Sequence, residues 1–491
     1  MASSSVRGAA LWSMGGQYIV FAVQFAVSVV ISRFFLTPAE VGLFSIALAA
    51  AMMVSILQDF GITRYVAGEA DLDERKIRGA YSVSIVFALA IGLVILALAW
   101  PVARFYDDAR LLPLLCVIAG SYLLVPFGIV PSALLQREMD FRSLFWVNVG
   151  AASANAVVAV SLAAAGWSAM ALAWAAVAQQ GVRALIGMGL SGWRSPFPIR
   201  LRGTRPVLRF GSGMSALYVS GAIGTRSPEL VIGRLIDFAA VGLYGRAMGL
   251  AGQLQTLVAG AIGGVFYPAF ARIRDRGEDM APPYLRVVSG YTATVWPAMA
   301  LLAAASTPLV LILFGPKWAG VAPLLVWIAL SEFAFTALPL HMEIPVLMGR
   351  MKKLLGLNIL DTVASLSLLL VGAWFSLEGA ALSRIAYGAA WFVIYAGFMR
   401  RLIGFGWGGM VAIYWKSALL SLATAGPLLA VYAFGPPPAE VGFLTLAASG
   451  AAGCLAWLAG LFIIRHPVRH EVIAMIAMLG GAARIPARRG A

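Results

Sequence analysis

Charge is what this sequence has least of. Asp, Glu, Lys and Arg make up 12% of its 491 residues, against roughly 25% in an ordinary soluble domain. Acids are scarcer still, 21 against 36 lysines and arginines. Hydrophobic residues fill the gap at 61%, and the mean hydropathy is +0.89. A water-soluble chain of this size cannot enclose so much apolar surface, because surface keeps growing with mass. Cysteine is nearly missing too. Cys116 and Cys454 each lie in an apolar run, which argues against a disulfide, a zinc site or a thiol nucleophile. Both are expected to be small packed core residues. No GxxxxGK[ST] stretch occurs, so ATP hydrolysis on a phosphate loop is excluded. No catalytic residue, metal site or cofactor is expected.

What is present in abundance is apolar sequence in runs of about 20 residues, the length that crosses a hydrocarbon core. The runs predict an all-α integral membrane protein with about fourteen spans: 10–32, 42–66, 79–101, 111–134, 143–165, 168–190, 209–233, 240–269, 286–314, 321–347, 355–375, 378–399, 411–434 and 440–464. The first apolar run, Ala9 to Ile31, is longer than the ~7–15 residues of a cleavable signal core and reads as a span that stays. Connections such as Leu36-Thr37-Pro38 and Gly435 to Pro438 are short, too short for a folded domain outside the membrane. Lysine and arginine then fix the orientation, since cytoplasmic loops carry the positive excess. With the N-terminus inside, cytoplasmic segments hold 25 of these residues, whereas the outer loops hold only Arg104, Arg110 and Lys317. Both termini are therefore expected in the cytoplasm. The net charge of +15 follows from topology and attraction to anionic lipid headgroups, and nucleic acid is not needed to explain it.

The chain also repeats itself. Ala39-Glu40-Val41-Gly42-Leu43-Phe44 matches Ala239-Ala240-Val241-Gly242-Leu243-Tyr244, and Ala47 matches Ala247. Ile31-Ser32-Arg33 faces Ile232-Gly233-Arg234, Phe105 to Leu115 resembles Phe314 to Leu325, and Ala169 to Leu172 resembles Gly379 to Leu382. Ordered matches of this kind point to a duplicated six-span unit. The expected division is 1–200 for one six-helix bundle, 201–402 for a second, pseudo-symmetric one, and 403–491 for two added spans with a basic tail. A 6+6+2 plan belongs to transporters more readily than to enzymes.

Several motifs along these spans are familiar. Leu36-Thr37-Pro38 with Val41-Gly42-Leu43-Phe44, then Asp59-Phe60-Gly61-Ile62, resembles the opening of the bacterial polysaccharide-export flippases of the Wzx/WzxC type. Leu135-Gln136-Arg137-Glu138-Met139-Asp140-Phe141-Arg142 continues the resemblance, as do Arg226-Ser227-Pro228-Glu229, Tyr267-Pro268-Ala269 and Gly315-Pro316-Lys317-Trp318. It runs from about residue 10 to about 400. That family belongs to the MOP superfamily, which also holds lipid II flippases and MATE multidrug exporters. The resemblance implies a MATE/MOP-like fold in a bacterial inner membrane. It also implies a flippase for undecaprenyl-pyrophosphate-linked oligosaccharide, with a polysaccharide polymerase and export machinery as partners.

Charges at membrane depth are functional candidates, because each costs at least ~2.5–3.5 kcal/mol by insertion scales. Arginine suits a pyrophosphate cargo, since its planar fork grips phosphate oxygens in pairs. Arg226 is the leading candidate. Glu229 lies three residues on, on the same helix face, so the two either serve the cargo or neutralise each other. Arg246, Arg384, Asp59 and Arg64 complete the substrate set, each with a rim or helix-end contact as the alternative. Glu332, His341 and Glu343 share one apolar run and are candidates for coupling to H+ or Na+, the alternative being helix–helix hydrogen bonding.

Three rival functions differ in what they need. A MATE-type cation antiporter calls for an acidic pocket, whereas the deep charges here include Arg226 and Arg246. A glycan polymerase or ligase calls for a sizeable outer loop, and no outer loop here exceeds about a dozen residues. A scaffold or channel-like partner of a synthesis complex is compatible with the repeat alone.

Overall fold

A helix satisfies all its backbone hydrogen bonds within one segment, so a long apolar chain in lipid has little choice of structure. The computed structural model describes residues 6–55, 62–69, 71–192, 224, 226–469 and 472–473. Every regular element among the described residues is helical. The elements are α1 (Val6–Val30, continued by a wide π turn over Ile31–Phe35), α2 (Pro38–Ser55), α3 (Ile62–Gly68), α4 (Glu74–Phe105), α5 (Leu111–Leu124), α6 (Pro126–Arg137), α7 (Phe141–Ala164) and α8 (Ala169–Leu190). A stretch at 226–235 forms α9. There follow α10 (Phe238–Asp275), α11 (Ala281–Ala304), α12 (Ser306–Leu313), α13 (Val321–Phe335), α14 (Glu343–Leu347), α15 (Met351–Phe375), α16 (Leu377–Ile403), α17 (Trp407–Phe434) and α18 (Phe443–Ile463).

Among the described residues, 11 helices are long and apolar enough to cross a membrane. Each overlaps one of the expected spans, with ends that differ by up to about ten residues, as Pro38–Ser55 does from 42–66. The other three expected spans differ. Most of 209–233 lies outside the described residues. The run 240–269 falls within the single 38-residue helix α10. The run 321–347 is not one helix: α13 ends after 15 residues at Phe335, and a turn leads to the five-residue α14. Proline explains the break. Pro339 has no N–H to donate and pushes the residue before it out of helical backbone. Leu340, just beyond, adopts a positive φ of 59°.

The chain packs as two compact units, Met1–Gly245 with Leu313–Trp318, and Arg246–Ile312 with Ala319–Ala491. In the first, α1 lies on α7, α7 on α8, and α8 on α5 and α6, while α5 also supports α2 and α4. The motif from Gln136 to Arg142 builds a turn here. Arg137 donates to the carbonyls of Val66 and Glu69, Met139 takes a positive φ, and Asp140 caps α7 by accepting from Ser143 N at 3.0 Å.

The repeat-related segments meet inside this first unit. The N-terminus of α2 is closed by a capping box in which Thr37 N donates to Glu40 Oε2 at 2.7 Å and Glu40 N donates to Thr37 Oγ1 at 3.4 Å. The N-terminus of α10 is capped by Asp237, which accepts from Ala240 N at 2.6 Å. The two helices then cross at their matching glycines. A Cβ on Gly42 would overlap the Phe238 carbonyl, and a Cβ on Gly242 would overlap that of Pro38. Two further bonds run reciprocally between the repeats. The Tyr106 hydroxyl donates to Leu230 O at 2.9 Å, and Trp318 Nε1, fully buried, donates to Ser32 O at 2.8 Å. Each loop thus holds the first helix of the other repeat.

In the second unit α11 packs on α13 and α17, α16 on α13 and α15, and α18 on α17. Its core is aromatic: Tyr284 stacks on Phe405 at 5.6 Å, and Trp296 lies between Phe333 and Tyr414 at 5.0 and 5.3 Å. Its surface carries large apolar side chains, with Phe434 93% and Leu444 80% exposed, as lipid solvent allows. Cys116 lies on α5 of the first unit, and Cys454 lies on α18 of the second, where it lines an apolar cavity. Both are exposed on their helices, so the expectation of packed core residues is corrected. A thiol costs little in an apolar setting outside the packed core, because it behaves as a small hydrophobe.

Candidate functional site

Among the described residues, one acid–arginine pair lies within the apolar helices of each unit. In the first unit, α9 sets Arg226 and Glu229 one turn apart. The guanidinium Nη1 stands 3.7 Å from Glu229 Oε1, beyond hydrogen-bond range. Glu229 Oε2 is enclosed with no hydrogen-bond partner, and the Arg226 side chain is 35% exposed. The pair is therefore attracted but not locked. Arg226 also has the Tyr122 hydroxyl as a close electrostatic neighbour, itself held to Ser55 Oγ at 3.0 Å.

The pair in the second unit is locked. Arg384 on α16 donates from Nη2 to Glu332 Oε1 on α13 at 2.7 Å and from Nε to Ser331 Oγ at 3.1 Å. Its guanidinium lies over the Phe335 ring, 5.0 Å from the centroid. The side chains are only 16% and 9% exposed. One turn on, the Thr336 hydroxyl donates to Glu332 O and accepts from Trp296 Nε1. This structure joins one residue expected to hold cargo with one expected to couple ions, 52 positions apart in sequence.

The remaining candidates are dispersed. His341 occupies the turn between α13 and α14, edge-on to Trp391 at 4.8 Å and Tyr395 at 5.2 Å. Glu343 opens α14 and is exposed. Among the described residues neither is paired with Glu332. Arg246 is half-buried on α10, with its Nε enclosed by protein. Arg64 lies in α3, but its side chain falls outside the described residues, as does the whole of Asp59.

Sequence reasoning passed over two features. Asp361 on α15 has a carboxylate oxygen, Oδ1, enclosed without a hydrogen-bond partner. Tyr387 is its neighbour, and the Tyr395 hydroxyl bonds Asn358 one turn away. The signal was available, because Asp361 is the lone acid in the run 355–375. The second feature is an apolar cavity of about 500 Å³ in the second unit, lined among others by Leu254, Pro297, Leu301, Leu309, Leu446 and Trp457. No sequence pattern announces it, since its walls come from five separate helices. Among the described residues no group of three or more His, Cys, Asp or Glu side chains is placed to hold a metal ion.

Comparison with known proteins resolves which family these helices belong to. The model of the family described as polysaccharide biosynthesis protein matches residues 30–323. The chain belongs to that family. The chain is 27% identical to the succinoglycan biosynthesis transport protein ExoT of Rhizobium meliloti (strain 1021), over 69% of its own length and 68% of ExoT. It is also 23% identical to the lipopolysaccharide biosynthesis protein WzxC of Escherichia coli (strain K12), over 64% of each. Among solved structures, the lipid II flippase MurJ in an inward closed conformation covers 94% of this chain and 99% of its own, with a TM-score of 0.74 at 11% identity. At that identity the likeness is one of fold alone. The all-helical MOP-like architecture and the Wzx-type resemblance are borne out. Of the polysaccharide biosynthesis family's matched segment, the Gly42 and Gly242 crossing, both halves of the Arg226–Glu229 pair and Trp318 all fall inside it.

Proposed function

We propose that this protein is a flippase for lipid-linked oligosaccharide, carrying an undecaprenyl-pyrophosphate-linked glycan from the cytoplasmic to the outer leaflet of a bacterial inner membrane. The observation that carries the proposal is the alignment with a named polysaccharide transport protein over 69% of the chain. Physical chemistry supports it. The intramembrane charges are led by arginines, which favour phosphate over the organic cations a MATE antiporter would take. The apolar cavity of the second unit suits a prenyl or acyl chain, whose burial is worth about 0.8 kcal/mol per CH₂. In this reading 1–200 and 201–402 are the alternating halves, 403–491 is an addition, and both termini face the cytoplasm, where the polymerase and export partners' substrate is assembled.

Arg226 is proposed to meet the pyrophosphate, leaving Glu229 as the carboxylate it exchanges for cargo. Arg246, Arg384, Asp59 and Arg64 remain in the proposed substrate set. Glu332, His341 and Glu343, with Asp361 added, form the proposed coupling set for H+ or Na+. A ligand moves such an equilibrium only by binding one conformation better than the other. The cargo site must therefore be weaker when it faces outward.

Deleting the gene and measuring the leaflet distribution of the lipid-linked oligosaccharide tests this reading. The expected result is accumulation on the cytoplasmic leaflet, reversed by the wild-type gene. Arg226→Ala is expected to restore less than about a tenth of the rate, since one lost charge-assisted contact of 1.5–3 kcal/mol corresponds to roughly 10- to 150-fold. Full restoration by that variant removes Arg226 from the cargo site.

A further inference from the structure

A second cavity, of about 530 Å³, lies wholly inside the first unit, between α1, α3, α6, α7 and α8. One guanidinium, Arg183, shares the walls with five carboxamides: Gln17, Gln24, Gln136, Asn148 and Gln179. Among the described residues no Asp or Glu lines it. Among the described residues the five carboxamides make no side-chain hydrogen bond, and Arg183 Nε is enclosed with none. Carboxamides that merely glued helices together would bond one another across the contact. These stand around a space instead: Gln17, Gln24, Gln136 and Asn148 are exposed into it, and the enclosed Arg183 Nε is the polar atom that demands a partner.

Small residues make the room. Gly128 lets the Arg183 stem lie flat against α6, where a Cβ would come within 3.1 Å of its Cγ. Gly16 does the same for Phe145, at 3.1 Å. Phe145 in turn holds Trp12 edge-on at 5.1 Å, giving the cavity an aromatic wall beside the amides. Arg183 supplies fixed charge and a two-pronged donor. Each carboxamide both donates and accepts, which is what a ring of hydroxyls requires. A flat aromatic face suits the apolar face of a sugar. The described lining residues carry a cation and no acid, which favours an anionic ligand, and the volume is within the ~300–1,000 Å³ of small-molecule clefts.

We propose that this cavity binds the sugar-phosphate end of a glycan, a hydroxyl-rich group carrying phosphate negative charge, as a subsite separate from Arg226 and Glu229. The proposal rests on the flippase reading for its biological ligand, but its chemistry stands on the cavity alone. Its lining includes Trp12 and Ser13 near the start of α1, Gln136 at the end of α6 and Phe141 at the start of α7, the side that the lysine and arginine count places in the cytoplasm. It is thus positioned to receive cargo before translocation.

The test is calorimetric titration of the purified full-length protein with a soluble hexose 1-phosphate, with neutral hexose and inorganic phosphate as separate arms. Saturable binding of the hexose 1-phosphate is expected, weakened at least about tenfold, or 1.4 kcal/mol, by Arg183→Gln and by Gln179→Leu. Gln179→Leu keeps the test valid if the arginine variant is poorly folded. Competition by a lipid-linked saccharide in nanodiscs identifies the membrane source of the same chemistry, and failure to compete makes the free sugar phosphate the ligand; both outcomes support the site. No binding by the wild type overturns the proposal. So does unchanged affinity in both variants, or equal affinity for neutral hexose or bare phosphate. Loss of glycan transport in the wild type is a different failure: it removes the flippase reading and leaves the titration result standing.

Discussion

Gly42→Val is expected to remove the folded protein from the membrane. The physical reason is that both partners in the contact are backbone. A side chain at 42 meets the Phe238 carbonyl and the Gly242 amide, and a side chain at 242 meets the Pro38 carbonyl. No rotamer change relieves either clash, so α2 and α10 must separate and strain the reciprocal bonds of Tyr106 and Trp318. Overpacking typically costs 1–3 kcal/mol and occasionally more; a clash of backbone with Cβ, followed by two further methyl groups, belongs at the upper end. Gly249 provides the control. It sits on the same helix with open space where a Cβ would stand, so Gly249→Ala is expected to stabilise, by up to about 1 kcal/mol from helix propensity. Size-exclusion profile and thermal midpoint in detergent read both. Gly42→Ala and Gly242→Ala combined are expected to cost less than the sum of the two alone, because the first already parts the helices.

Arg384→Leu comes second in size. It leaves Glu332, 9% exposed, without the guanidinium that neutralises it. Breaking one side of a buried pair costs about 3–5 kcal/mol, and insertion scales give at least ~2.5–3.5 kcal/mol for a lone charge at membrane depth. Hydrogen bonding alone would predict less, since such bonds between membrane helices average about 0.6 kcal/mol in one well-studied case. The charge term wins, limited by the ease with which a stranded carboxyl takes up a proton. The double variant Arg384→Leu with Glu332→Leu is expected to recover most of the lost stability. Its transport rate then separates two roles. A purely structural pair regains transport along with stability, whereas an ion-coupling Glu332 leaves a stable protein that does not transport.

The helices were legible because lipid imposes them, and eleven apolar runs needed no tertiary information to be placed. The run 321–347 misled because hydropathy counts apolar atoms and is blind to the backbone demands of Pro339 and Pro345. The matching of Gly42 with Gly242 was visible as a sequence pattern. That the two glycines touch each other was not, since a repeat reveals equivalence and says nothing of contact. Arg226 and Glu229 could be paired from a spacing of three. Arg384 and Glu332 could not, because separate helices bring them together. Arg183 and its carboxamides were hidden for the same reason: a glutamine or asparagine in an apolar run looks unremarkable until four glutamines and Asn148 face one space.

The most direct measurement is leaflet exchange in proteoliposomes. Purified protein is reconstituted with a lipid-pyrophosphate-linked saccharide, and the fraction accessible to an impermeant reagent outside the vesicle is followed in time. The expected result is exchange of the saccharide lipid well above protein-free vesicles, slowed by Arg226→Ala, with no movement of an organic cation under the same ion gradient. An unchanged leaflet distribution, or cation transport without exchange of the glycolipid, contradicts the flippase reading.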